Sequence, residues 1–108
     1  MPTRNRLEQK QIEAALRNLP GWTASGDRLT RAYRFPDFVR AWAFMSAAAL
    51  HAQAMNHHPN WSNAYGTVEV TLWTHDAGGV TEMDLTLAGR FEELAKQLGA
   101  ADTVAEHN

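Results

Sequence analysis

The apolar positions of this chain switch between helical spacing and strict alternation, and each switch marks an element. From Arg4 to Leu19, Leu7, Gln11, Ile12, Ala15, Leu16 and Leu19 fall on one helical face, while Glu13 and Arg17 pair four apart on the other. Pro20-Gly21 ends that helix. Trp22 to Ala24, a Ser25-Gly26-Asp27 turn and Arg28 to Phe35 follow. Leu29, Arg31, Tyr33 and Phe35 alternate with Arg28, Thr30, Ala32 and Arg34, which predicts a β-hairpin. Pro36-Asp37 then opens a second helix, with Asp37 as the N-cap. Its apolar stripe comprises Phe38, Ala41, Trp42, Met45, Ala48, Ala49, Ala52 and Met55. Pro59 forces the residue before it out of the helical region, so the helix stops by about His57.

From Tyr65 to His75 the alternation returns, with Val68, Val70 and Leu72 on one face and Thr67, Glu69, Thr71 and Trp73 on the other. Asp76-Ala77-Gly78-Gly79 has the chemistry of a turn between antiparallel strands and leads into a short strand, Val80 to Met83. A last helix puts Leu87, Ala88, Phe91, Leu94, Ala95 and Leu98 inward and pairs Glu92 with Lys96 on its outer face. Asp84 is either its N-cap or, if Thr81 caps, the acid of a capping box. The tail after Gly99 is expected to fray. The order helix, strand, strand, helix, strand, strand, helix predicts an α+β fold of two layers, a four-stranded antiparallel sheet with three helices on one face.

Length and charge narrow the function classes. A chain of 108 residues, with 44% hydrophobic and 20% charged residues, fits a single domain spanning 1–108 with a packed core. Ten Lys and Arg against 12 Asp and Glu leave a formal charge of −2 and no basic run, so nucleic acid is not an expected partner. Without Cys there is no disulfide, thiolate or Cys-based metal chemistry. The longest nearly apolar run, Ala41 to Leu50, is far short of the roughly 20 residues that span a membrane. The N-terminus has no secretory pattern, and a cytoplasmic location is expected.

The candidate chemistry lies in the histidines. His57 and His58 follow the second helix and His75 closes the long strand, and element ends are where a rigid scaffold presents reactive groups. Two adjacent imidazoliums repel, which favours keeping one ring neutral as a base. An exposed His pair ordinarily does no more than meet solvent, and His51, on the helix, and His107, in the tail, are read that way. For His57 and His58 the stiffening by Pro59 and the nearby Trp61 and Tyr65 point instead to a pocket for a flat heterocycle, while on spacing alone Trp61 and Tyr65 read as core rather than as a binding wall. Trp73 lies opposite Val70 and Leu72, so it either lines a site or is covered by another subunit. A metal held by the three histidines with Glu82 or Asp84 is disfavoured because neighbouring side chains converge poorly on one ion. Ser25, Ser46 and Ser62 lack a nucleophile-elbow context.

The runs Gln53 to Tyr65, with Asn56-His57-His58-Pro59 inside it, Val68 to Gly79, with Thr74-His75-Asp76, and Asp84 to Ala88 resemble the pterin-4a-carbinolamine dehydratase family. The likeness extends upstream through Leu19-Pro20-Gly21-Trp22 and Phe35-Pro36-Asp37-Phe38 and so covers nearly the whole chain. It implies dehydration of 4a-hydroxytetrahydropterin to quinonoid dihydropterin without a metal or organic cofactor, a small-molecule pterin as partner, and a homodimer or homotetramer. It implies catalytic roles for His57, His58 and His75 and puts Asn56, Trp61, Trp73, Thr74 and Asp76 in substrate-contacting stretches, with Gln53, Pro59 and Asp84 in support. Three positions depart from the family pattern: Gln53 stands where Glu is frequent, Asn56 where Asp is common and Trp73 where Ser or Thr is usual.

Expelling water from such a substrate needs one proton delivered to the leaving oxygen and one withdrawn from the adjacent ring N–H. Imidazole populates both acid and base forms near neutrality. His57 and His75 are the expected proton-transfer pair, either able to act as acid, and His58 the group that grips the pterin. Asp84 is expected to organise its helix rather than to react. Two other readings of the same residues are a non-catalytic dimerisation or accessory module of this fold and a His-based metal-binding protein.

Overall fold

The structure is a computed structural model and describes residues 5–101. Helix α1 spans Gln9–Leu16, shorter than its periodicity predicts. Glu8 caps it, its backbone N–H donating to Gln11 Oε1 at 2.8 Å, and Leu7 N–H is drawn away to Val80 O at 2.8 Å, which holds the preceding segment out of the helix. Strands β1 (Thr23–Ser25) and β2 (Arg28–Arg34) make the expected hairpin, with Ser25 opposite Arg28.

Helix α2 spans Phe38–Ala54, and the Asp37 carboxylate accepts from Arg40 N–H at 2.8 Å. Its inward face is Ala41, Phe44, Met45, Ala48 and Ala52, so the apolar stripe is rotated from the expected one. Phe44 is fully buried among Tyr33, Phe35 and Phe91, with ring centroids 5.1, 5.1 and 5.8 Å away, while Phe38 and Trp42 remain 42% and 52% exposed. The aromatic cluster decides the rotation: one Phe inserted between three rings buries more apolar area than an alanine row can.

Strands β3 (Asn60–Ala64) and β4 (Thr67–Leu72) complete an antiparallel sheet of order β1-β2-β4-β3. The architecture is therefore the α+β arrangement of four antiparallel strands with helices on one face. The identity of the fourth strand differs from expectation. Asn60–Ala64 is an edge strand with alternating exposed and half-buried residues and little apolar content, and it turns into β4 through Tyr65-Gly66. Gly66 is required there, because a Cβ would come within 2.6 Å of Phe35 O. Val80 to Met83 is not a strand. After an isolated bridge between Thr74 and Gly79 the chain reaches Thr81, whose hydroxyl accepts from Met83 N–H at 3.2 Å and caps helix α3, Glu82–Gln97. Capping chemistry outcompetes pairing at this point.

On the helix-facing side of the sheet lie Leu29, Arg31 and Tyr33 of β2 and Val68, Val70 and Leu72 of β4, all buried. Arg31 draws inward a residue expected on the surface. Glu92, expected to pair with Lys96 in water, points inward; its Oε1 accepts from Trp22 Nε1 at 2.9 Å, Arg31 Nε at 3.2 Å and Tyr33 Oη at 2.7 Å. The carboxylate turns in because the buried Arg31 guanidinium and Tyr33 hydroxyl need an acceptor there; Trp22 Nε1 also reaches Tyr33 Oη at 3.0 Å. The chain beyond Gly99 is anchored as far as Ala101, whose N–H donates to Arg34 O at 2.8 Å. His107 lies outside the described residues.

Candidate active site

The exit of α2 sets the first part of the site. Met55 is the helix C-cap and Asn56 adopts the left-handed region at φ 51°. Asn56 N–H donates to Gln53 O at 3.0 Å and His57 N–H to Ala52 O at 2.9 Å, the paired bonds that close a helix through a left-handed residue. Asn tolerates that conformation better than other non-glycine residues because its short amide can hydrogen-bond locally. Asn56 is thus a backbone device that reverses the chain and aims His57 and His58, with Pro59 fixing the next turn. The second part is the end of β4. Leu72 is buried, Trp73 faces the other way, and Thr74 leads into a single 3₁₀ turn, His75–Ala77, ended by Gly78 at φ 69°.

These two segments border one cleft of about 250 Å³, lined by Asn56, His57 and His58 from the first and by Trp73, Thr74, His75 and Asp76 from the second. His57 is buried, while His58 and His75 are exposed. Each ring has its own neighbour. His57 Nε2 lies 2.5 Å from Asp84 Oδ1, His58 Nε2 lies 3.0 Å from Gln53 Oε1, and the His75 ring stacks on Trp73 with centroids 4.5 Å apart and planes 26° from parallel. Asp84 offers His57 Nε2 a carboxylate oxygen, which only an N–H can meet favourably, so Nε2 carries a proton and Nδ1 is the acceptor of the neutral ring.

Asp84 is fully buried and shared between folding and site. Its Oδ2 accepts from Thr81 N–H at 2.9 Å, completing the capping box expected of it, and from Thr74 Oγ1 at 2.9 Å. Thr74 has one hydroxyl proton and gives it to the carboxylate, so across the 2.7 Å contact between the two threonines Thr81 must be the donor. Protons therefore point one way through Thr81 and Thr74 to Asp84, which faces His57 Nε2. Every buried side-chain polar atom among the described residues has a partner, this network included.

Not all expected site residues meet at the cleft. Trp61 sits on β3 and stacks on Phe91 at 6.1 Å with planes 16° apart, away from the cleft lining, because β3 turns its side chain toward α3. Thr74 borders the cleft but is only 2% exposed, its hydroxyl committed to Asp84. Arg28 was missed: its guanidinium carbon lies 4.1 Å from the Trp73 ring centroid. The signal was available in the alternation, since pairing Leu29 with Leu72 brings Arg28 opposite Trp73. Among the described residues no group of three or more His, Asp or Glu is placed to hold a metal ion, and no helix is long and apolar enough to cross a membrane.

Residues 5–94 match the family model for pterin 4 alpha carbinolamine dehydratase. A Solibacter usitatus protein named for that activity is 47% identical over 90 residues, covering 83% of this chain and 95% of the relative. One from Rhizobium johnstonii, named likewise, is 48% identical over 92 residues, covering 83% and 91%. The crystal structure of a transcriptional coactivator/pterin dehydratase from Brucella melitensis superposes with a TM-score of 0.82 at 44% identity, covering 84% of this chain and 99% of that one. A pterin dehydratase-like RuBisCO assembly factor of the alpha-carboxysome shares the fold, with a TM-score of 0.57 at 24% identity over 68% of this chain and 86% of that one. With the histidine cleft and the sheet arrangement in view, these matches mean that the chain belongs to the pterin-4-alpha-carbinolamine dehydratase family.

Proposed function

We propose that this protein dehydrates a 4a-hydroxytetrahydropterin to the quinonoid dihydropterin and water by histidine acid–base catalysis, in the cytoplasm and without a metal or organic cofactor. The observation that carries the reading is the convergence of His57, His58 and His75, from two separate segments, on one cleft. In the reaction the bond between the 4a carbon and its hydroxyl oxygen breaks, water leaves, and the adjacent ring nitrogen loses its proton as the carbon–nitrogen double bond forms. His57 is the buried ring with an orienting carboxylate, and its Nδ1 is suited to take or return that proton. His75, contributed by the end of β4, serves the leaving oxygen, and His58 binds the pterin. Positioned proton transfer of this kind typically supplies roughly 10² to 10⁴ in rate.

The experiment is to add purified protein to chemically generated 4a-hydroxytetrahydropterin and follow the absorbance of the quinonoid product. Acceleration over the spontaneous reaction is expected. His57→Ala and His75→Ala are each expected to lower kcat by about 100-fold, and His58→Ala to act mainly on KM. Near-wild-type turnover in a folded triple variant defeats the assignment.

One observation favours a second reading, a homo-oligomeric or accessory module. Phe38, Val39, Trp42 and Leu50 leave an apolar face on α2, with Val39 and Leu50 73% and 74% exposed. The Brucella melitensis relative is described as a coactivator as well as a dehydratase, and the carboxysome protein as an assembly factor. Sedimentation of the purified protein tests self-association, and a retained partner protein together with no pterin turnover would favour the accessory role.

A further inference from the structure

The three histidines of the cleft are held by three different means. His57 has Asp84 and His58 has Gln53, whereas no side-chain hydrogen bond holds His75 among the described residues. Its ring is exposed at the start of a 3₁₀ turn, where an imidazole ordinarily samples several rotamers. What it touches is the indole of Trp73, stacked at 4.5 Å. The indole is itself fixed by Arg28, whose guanidinium carbon sits 4.1 Å from the ring centroid. Opposite faces of Trp73 are the arrangement that lets two planar groups approach one ring this closely without crowding each other.

We propose that Trp73 is the positioning residue for His75, clamped from behind by Arg28, and that it offers a bound ring its edge and not a stacking face. The sequence builds the clamp with few parts. Leu29 pairs with Leu72 in the β2–β4 register, and continuing that register sets Arg28 against Trp73 on the side of the sheet away from the helices. His75 follows two residues later, where the alternation returns a side chain to that side. A guanidinium over an indole is attracted by the negative face of the ring, and the stack removes freedom from a ring that must meet its substrate in one orientation. Trp73 therefore acts through His75, and flat ligands are bound elsewhere in the cleft.

This inference rests on the proposed dehydration for its kinetic readout but not for its spectroscopic one. In ligand-free protein, the His75 ring protons are expected to resonate upfield of their random-coil positions because of the indole ring current. Trp73→Leu and Arg28→Gln should move them toward those positions, and Trp73→Phe should keep most of the displacement. In the dehydration assay, Trp73→Leu is expected to lower kcat about 10-fold or more while KM stays within about twofold, and Trp73→Phe to restore most of kcat. His75 signals that do not respond to Trp73→Leu, or a KM raised about 10-fold at unchanged kcat, overturn the inference and make Trp73 a substrate platform. If the wild-type protein shows no turnover, the proposed function fails and the resonances alone decide: displaced signals support the clamp and random-coil signals overturn it.

Discussion

Asp84 and His57 meet at 2.5 Å, joining the first turn of α3 to the exit of α2 through a carboxylate with no exposed surface. The same carboxylate completes the capping box of α3 and accepts from Thr74. Removing its charge affects fold and site together. Asp84→Asn keeps the shape but introduces an amide that cannot accept at both ends, so one buried donor loses its partner at about 1–3 kcal/mol. We expect a lower thermal midpoint together with a kcat reduced by about 10². Thr81→Val, which removes the hydroxyl but not the carboxylate, is expected to lower stability with a smaller effect on kcat.

Asn56 carries the left-handed φ that lets α2 release the histidines. Asn56→Gly is expected to be tolerated, since glycine adopts that region freely. Asn56→Val should destabilise the protein by about 1–2 kcal/mol, because a β-branched residue in the left-handed region clashes with its own carbonyl. Urea unfolding of the two variants separates backbone strain from loss of the amide: equal destabilisation by Gly and Val would mean that the side chain, and not the φ, is what matters.

The parts of this molecule legible in its sequence are those governed by one local rule. Alternation in Arg28–Arg34 and Thr67–Leu72, the Asp37 cap and the Thr81–Asp84 box follow from single segments, and so does the placement of His57, His58 and His75 at element ends. The features that escaped need two segments at once. The β3 strand is edge-paired and largely polar, so nothing in residues 60–64 announces it until β4 is there to pair with. Glu92 looks like a solvated partner of Lys96 until Arg31, 61 positions away, is found beneath it. Likewise the Arg28–Trp73–His75 stack is invisible along the chain and follows once the β2–β4 register is known.

The Glu92 cluster should be the most fragile polar feature of the interior. One carboxylate oxygen accepts from Trp22, Tyr33 and Arg31, and the Arg31 and Glu92 side chains are only 6% and 12% exposed. Glu92→Ala leaves a buried guanidinium without its counter-charge, and losses of about 3–5 kcal/mol are usual for such a step. Glu92→Gln keeps an acceptor and is expected to cost less. Denaturant midpoints rank the three proteins; a Glu92→Ala variant as stable as the wild type would show that water replaces the carboxylate.

Chelation is expected to leave turnover unchanged. Among the described residues no three His, Asp or Glu side chains come together closely enough to hold a metal ion, and the proton transfers proposed for His57 and His75 call for none. Dialysis against EDTA followed by the dehydration assay checks this. Activity lost on dialysis and restored by zinc would make the cleft a metal site.

Tyr33 ties alkaline stability to the same cluster. Burial and the hydrogen bond to the Glu92 carboxylate push its phenol well above the ordinary 10.0. With the folded pKa raised, the unfolded chain loses the phenol proton first as pH climbs past 10.0, so the unfolded state then binds fewer protons than the folded one. The slope of unfolding free energy against pH is negative in that window, and the stabilisation present in full below it is lost progressively above it. Tyr33→Phe removes this titration. Urea midpoints measured from pH 8 to 11 are expected to run parallel for the two proteins at the lower end and to converge at the upper, where the wild type alone bears the cost of keeping a phenol protonated. Curves that remain parallel throughout would mean that Tyr33 ionises as readily folded as unfolded.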